Sequence, residues 1–185
     1  ETRCSNGIRE GLEECDPAYP TYWSTVYNPL VEAFSWLGRN EEALGAARRS
    51  LESLREGGAP LAIGGIEACA RGLAALADAG RAGGTVGGAA EQAQGFVEHA
   101  RQVASTGPTR LRELGPEGQA WLLRAEAERS RFSGDHDPEP WRQVRAAFGY
   151  GHVMGRAYAG WRLAEALLAG SGGPARDEAG AVLVE

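Results

Sequence analysis

Apolar residues in this chain recur at intervals of three and four, and rarely at intervals of two, from one end to the other. That spacing places them on one face of an α-helix and leaves no convincing strand. Glycine and proline cut the pattern into segments of one helix length each. The last run, Val182-Leu183-Val184, is short and lies in a helical context.

The chain divides as follows. A first helical segment carries Cys4, Ile8, Leu12 and Cys15 on one face and stops at Asp16-Pro17. A second, from about Tyr22 to Leu37, has Val26, Tyr27, Leu30, Phe34 and Leu37 as its apolar face. Pro29 lies inside it, so that helix either kinks there or starts at Asn28-Pro29. Gly38 ends it, and Asn40 is expected to cap a third helix whose first turn holds Glu41 and Glu42. Its stripe is Ala43, Leu44, Ala47, Leu51 and Leu54, closed by Gly57-Gly58. A fourth helix follows from Pro60 to Ala79, with Ile63, Ile66, Ala70, Leu73 and Leu76. The glycine-rich stretch 80–88 reads as a flexible linker. Ala89 to Ser105 carries Phe96, Val97, Ala100 and Val103, and Pro116 to Phe132 makes a sixth helix. Asp137-Pro138 opens a seventh, with Trp141, Val144 and Phe148. An eighth runs from Val153 to Ala169, with Ala157, Trp161, Ala164 and Leu168 on its apolar face, and Pro174 opens a ninth. Short connections favour antiparallel neighbours. The expected fold is therefore all-α: about nine helices stacked as antiparallel αα-hairpins in a right-handed, tetratricopeptide-like solenoid, one domain over 1–185.

A tetratricopeptide unit sets large residues on its first helix against small ones on its second, so the pair can approach closely. Tyr27-x2-Leu30-x3-Phe34, with Gly38 and Ala43 beyond, follows that pattern, as does Trp141-x2-Val144-x3-Phe148 with Ala157-x3-Trp161-x2-Ala164. Trp161 also starts an alternative unit, through Leu168 and Gly172. The preferred register pairs helices two with three, four with five, six with seven and eight with nine. The first helix is then the leftover half of a preceding hairpin. The chain begins at Glu1 without Met and runs in helical pattern to Val184-Glu185, which reads as a piece of a longer protein.

Composition removes whole classes of chemistry. All 19 basic residues are arginine, and lysine never occurs. A phosphate-binding loop and a Schiff base both need a lysine. The formal net charge is −6, and arginines alternate with acids, as in Arg48-Arg49 beside Glu41, Glu42 and Glu52. A nucleic-acid binder concentrates positive charge on one face, so direct nucleic-acid contact is not expected. Three cysteines, with no CxxC spacing, fit a reducing, cytoplasmic compartment rather than a disulfide framework. No run reaches membrane-spanning length, and no leader is visible.

Candidate sites are few. Asp135-His136-Asp137 reads as a polar loop with Asp137 capping the next helix rather than as a metal cluster. His99 and His152 are isolated. Neither a catalytic constellation, a cofactor site nor a metal site is expected, so the chain is not read as an enzyme. Trp121, Trp141 and Trp161 fall at core positions. Tyr19, Tyr22 and Trp23 differ: they cluster at a loop–helix junction beside two prolines, where all cannot be buried, and are the candidates for a partner or ligand groove.

The runs Ala120-Trp121-Leu122-Leu123-Arg124-Ala125-Glu126-Ala127-Glu128, Gly134-Asp135-His136-Asp137-Pro138-Glu139-Pro140-Trp141 and Tyr158-Ala159-Gly160-Trp161-Arg162-Leu163-Ala164-Glu165-Ala166-Leu167-Leu168 resemble the tetratricopeptide-like helical region of large ATP-binding LuxR-type transcriptional regulators. In that family an ATPase module precedes the helical repeats and a helix-turn-helix domain follows them. The resemblance covers about 118–185, with 22–79 matching as a generic repeat. The turns Gly149-Tyr150-Gly151-His152 and Ser171-Gly172-Gly173 are looser than the pattern asks. The resemblance implies a sensor or interaction segment that relays binding of an inducer or a partner protein to a DNA-binding domain outside this chain. The alternative is a free-standing scaffold for peptides or proteins. Either reading leaves the ends of the stack open to self-association.

Overall fold

The computed structural model describes residues 20–106, 114–170 and 173–184, with side chains from Val26 onward. Among these residues the protein is all-helical: α1 (Pro20–Trp36), α2 (Asn40–Glu56), α3 (Gly64–Arg81), α4 (Ala89–Thr106), α5 (Pro116–Phe132), α6 (Glu139–Ala147), a 3-10 turn (Phe148–Tyr150), α7 (Val153–Ala169) and α8 (Gly173–Val184). The first expected helix lies outside the described residues.

The same stop signal closes α1, α2, α3 and α5. A glycine with positive φ (Gly38, Gly58, Gly83, Gly134) follows each helix. The next amide then donates to the carbonyl five residues back: Arg39 to Phe34, Ala59 to Leu54, Gly84 to Ala79 and Asp135 to Ser130. This closure satisfies carbonyls the helix would leave open and turns the chain sharply back. Each helix packs on its neighbours in the chain, α1 on α2, α2 on α3, α3 on α4, α4 on α5, α5 on α6, α6 on α7 and α7 on α8, and α3 also packs on α1 and α5.

That position makes α3 the most buried helix, with nearly every residue from Gly65 to Ala79 out of water. Its seam with α2 and α4 is built from size differences. A Cβ on Gly72 would stand 2.8 Å from the Phe96 ring and 3.2 Å from Ala47 Cβ, so the absent side chain is what admits the ring. The stripes expected for α4 and α6 are buried as read: Phe96, Val97, Ala100 and Val103, and Trp141 and Val144 with Phe148 beyond.

Four expectations need correction. In α1, Val26, Leu30 and Leu37 are exposed, and the buried side is carried by Val31 and Asn28. Asn28 Nδ2 donates to the Gly64 carbonyl, and its Oδ1 accepts from Ser50 Oγ at 2.9 Å, so a polar residue ties three helices together where an apolar one was expected. The helix also passes through Pro29 rather than starting there. In α7 the buried stripe is Tyr158, Ala159, Leu163 and Leu167, one residue out of step with the expected Ala157, Trp161 and Leu168. Tyr158 sets that phase, because its hydroxyl pairs with a buried carboxylate on α5. Asn40 is the first helical residue rather than the cap, and its Oδ1 has no hydrogen-bond partner. Residues 80 and 81 belong to α3 rather than to the linker; the loop after them is tied down by the Gly84–Ala79 bond and by Gln92 Nε2 donating to the Gly87 carbonyl.

Candidate functional site: a cavity lined by alternate helices

A cavity of about 140 Å³ opens on one side of the protein, and every residue lining it comes from α1, α3, α5 or α7. From α1 come Glu32, Ser35 and Trp36, from α3 Arg71, Ala74 and Asp78, from α5 Arg124, and from α7 Tyr158, Trp161 and Arg162. Intervals of three, four and seven put each set on a single helical face.

The walls are a network of charges held out of water. Arg71, Arg124, Arg131, Arg162 and Glu128 are all buried. Arg71 donates from Nη1 to Glu32 and from Nε and Nη2 to Glu67 Oε1. Arg131 donates from Nε to Glu128 at 2.7 Å, from Nη1 to Asp78 at 2.7 Å and from Nη2 to the Ala74 carbonyl. Arg162 donates from Nε to the Tyr158 hydroxyl, from Nη1 to Glu165, and from Nη2 to both oxygens of Asp78. The Tyr158 hydroxyl in turn donates to Glu128 Oε1 at 2.5 Å. Such charges are stable in the interior only because each meets opposite charge and hydrogen bonds. Burial weighs against the Arg131 and Arg162 charges, yet Glu128, Tyr158 and Asp78 around Arg131, and Tyr158, Glu128 and Asp78 around Arg162, hold both pKa values above the ordinary arginine range. Burial, reinforced by Glu128, pushes the Tyr158 hydroxyl up to about 12, so it remains a donor.

Arg124 breaks the pattern. It is 3 % exposed, yet its Nε has no hydrogen-bond partner, and Glu128 Oε1 stands 3.8 Å away. Its guanidinium lies 3.7 Å from the Tyr158 ring centroid and 5.1 Å from that of Trp121. The aromatic faces attract the cation but accept no directed hydrogen bond from its edge. At the mouth, Trp36 and Trp161 face each other with centroids 6.4 Å apart. Trp36 is 65 % exposed and Trp161 42 %. Trp161 therefore belongs to the cavity rim and not to the core, unlike Trp121 and Trp141, which are buried.

The side chains of the aromatic cluster favoured from the sequence lie outside the description. Tyr19 lies outside the described residues, and Tyr22 and Trp23 occupy the first turns of α1, with side chains outside the description. The signal that points to the cavity is a charge inside an apolar helix: Arg71 and Asp78 interrupt an otherwise small and apolar run from Ala68 to Ala79.

The remaining candidates do not converge. Asp135 and Asp137 close local turns, accepting from the amides of Asp137 and Glu139 at 3.0 Å, and Pro138 rather than Asp137 takes the capping position of α6. His152 Nδ1 accepts from the Gly155 amide and caps α7. The Cys69 thiol is buried and its pKa pushed up by burial, which makes it a poor nucleophile. Among the described residues no group of three His, Cys, Asp or Glu side chains converges as a metal site, and no helix is long and apolar enough to cross a membrane.

Fold and site together define, among the described residues, an all-helical protein with a small cavity that has charged side chains in its walls and is rimmed by two tryptophans. The chain matches no family model, and comparison with curated proteins and with solved structures gives no significant match.

Proposed function

We propose that this chain is a tetratricopeptide-like helical-repeat segment of a LuxR-type transcriptional regulator, in which the cavity is the sensing site. It works in the cytoplasm, binds an inducer or a partner protein, and relays that state to a DNA-binding domain outside the chain without touching DNA itself. One observation carries the reading. The cavity is lined by alternate helices, α1, α3, α5 and α7, which are the first members of the hairpins in the preferred register. In a stack of helical hairpins the first helices line the concave side, which is where such proteins hold their ligands. The phrases shared with the regulators around Trp121, Asp137 and Trp161 supply the regulatory context.

Transcription from a reporter driven by the parent regulator tests it. Arg124→Gln and Trp36→Ala, placed in the full-length protein, are expected to abolish induction while leaving protein level and operator binding in place. Wild-type induction by both variants overturns the sensing role. A reading frame without a phosphate-binding loop upstream and a helix-turn-helix downstream overturns the regulator.

A further inference from the structure

The cavity reads its ligand's charge through Arg124. The three other buried arginines engage every guanidinium nitrogen; Arg124, which lines the cavity, alone keeps a buried Nε without a hydrogen-bond partner, with Glu128 Oε1 3.8 Å from it. A buried guanidinium nitrogen without a hydrogen-bond partner is costly, and a ligand that accepts from the same fork offsets part of that cost. The acceptor that suits its planar fork is a carboxylate.

The rest of the network limits what else the ligand carries. The charged residues that line the cavity, Arg71, Arg124, Arg162, Glu32 and Asp78, join Arg81, Arg131, Glu67, Glu128 and Glu165 in one ion-pair network, a formally neutral set. A phosphate or a dicarboxylate would add uncompensated negative charge beside Glu32 and Asp78. A ligand bearing both signs adds none. Glu32 meets Arg71 through Oε2, and a quarter of its side chain is open to solvent, so it can still accept from a cation. The faces of Trp36 and Trp161 attract a cation and cover an apolar body. For scale, a cavity of roughly 150 Å³ accommodates a benzene ring, so about 140 Å³ suits a compact molecule.

We infer that the cavity binds a free apolar α-amino acid, its carboxylate on Arg124, its ammonium toward Glu32, and its side chain against Trp36 and Trp161. This inference rests on the reading of the cavity as a sensing site. Leucine, 4-methylpentanoate (leucine without the amine) and 3-methylbutylamine (leucine without the carboxylate) form a matched set for titration calorimetry on the whole chain. Leucine is expected to bind, and each single-charge analogue to bind at least tenfold more weakly. Arg124→Gln, which breaks no hydrogen bond of its Nε, is expected to lose leucine binding. Trp36→Ala, an exposed site that keeps the fold, weakens it at least fivefold. Equal binding of leucine and 4-methylpentanoate overturns the zwitterion, as does leucine binding that survives both substitutions. If no amino acid binds but another small molecule does, and Arg124→Gln abolishes that binding, the inference falls and the sensing cavity stands. If a broad metabolite set yields no binding that these substitutions alter, both fall.

Discussion

The two sides of α3 are built on opposite plans. Toward α2 and α4 it presents Gly72, set against Ala47 and the Phe96 ring, a seam in which fit is a matter of volume. Toward the cavity it presents Arg71 and Asp78, where fit is a matter of charge. Dispersion and apolar burial are additive and forgiving of chemistry but not of size. Buried ion pairs are the reverse: removal of one partner strands the other in a medium that cannot solvate it. One helix thus carries a volume-matched seam on one side and a charge-matched wall on the other, and each side fails in its own way.

The largest effect is expected where the charge plan is densest. Glu128 has no exposed surface and meets Arg131, Tyr158 and, at longer range, Arg124. Glu128→Ala should destabilise by about 3–5 kcal/mol, as loss of one member of a buried pair does. Urea denaturation reads this directly. A loss below about 1 kcal/mol would mean that water already solvates the network.

The volume plan is tested at Gly72. Glycine in mid-helix normally disfavours the helix by about 1 kcal/mol relative to alanine, so a side chain there ought to help. Here the Phe96 ring occupies the space at 2.8 Å. Gly72→Val is therefore expected to destabilise by about 2–3 kcal/mol through overpacking, and Gly72→Val with Phe96→Leu to recover part of that. Failure of the double variant to recover any would show that the seam fails for a reason other than crowding.

This contrast also explains what could be read from the sequence. The seam was legible, because apolar residues at three and four intervals announce a buried face: the stripes of α4 and α6 and the glycine stops are all visible in the chain. The cavity was not. Its residues are charged, and a charge in a helix ordinarily signals solvent; only the long-range pairing of Asp78 with Arg131 and Arg162, 53 and 84 residues away, makes these charges interior. The phase of α7 was misread for the same reason, since Tyr158 is drawn inward by a hydrogen bond that no periodicity encodes.

Tyr158 sharpens the comparison at intermediate size, being an aromatic ring in the core and a hydroxyl in the network. Tyr158→Phe keeps the ring and removes a donor to Glu128 and an acceptor from Arg162, for an expected loss of about 1–3 kcal/mol. The hydroxyl's folded pKa, pushed up to about 12, lies above the value of about 10 expected in the unfolded chain. The folded state therefore holds the proton more tightly. The contribution of this group is complete below pH 10 and is lost as pH rises from 10 to 12. Denaturation midpoints measured at pH 9 and pH 11.5 should fall more steeply for the wild type than for Tyr158→Phe; parallel falls would remove Tyr158 from the alkaline transition.

The smallest effect is expected for the same chemistry on the outside. Arg142 reaches Glu178 with two parallel bonds, Nε to Oε1 at 2.8 Å and Nη2 to Oε2 at 2.9 Å, joining α6 to α8. In geometry this pair is better than the Arg131–Glu128 contact, which uses one nitrogen. In surroundings it is worse, for both side chains remain more than a third exposed. Water and salt then solvate the separated charges nearly as well as the pair does, and ordering two long side chains offsets much of what remains. Arg142→Ala should move the thermal midpoint by no more than about 2 °C, and that shift should vanish in 1 M salt, where the Debye length falls to roughly 3 Å. A shift comparable with that of Glu128→Ala would mean that bidentate geometry, rather than burial, decides which arginine–carboxylate pairs hold this protein together.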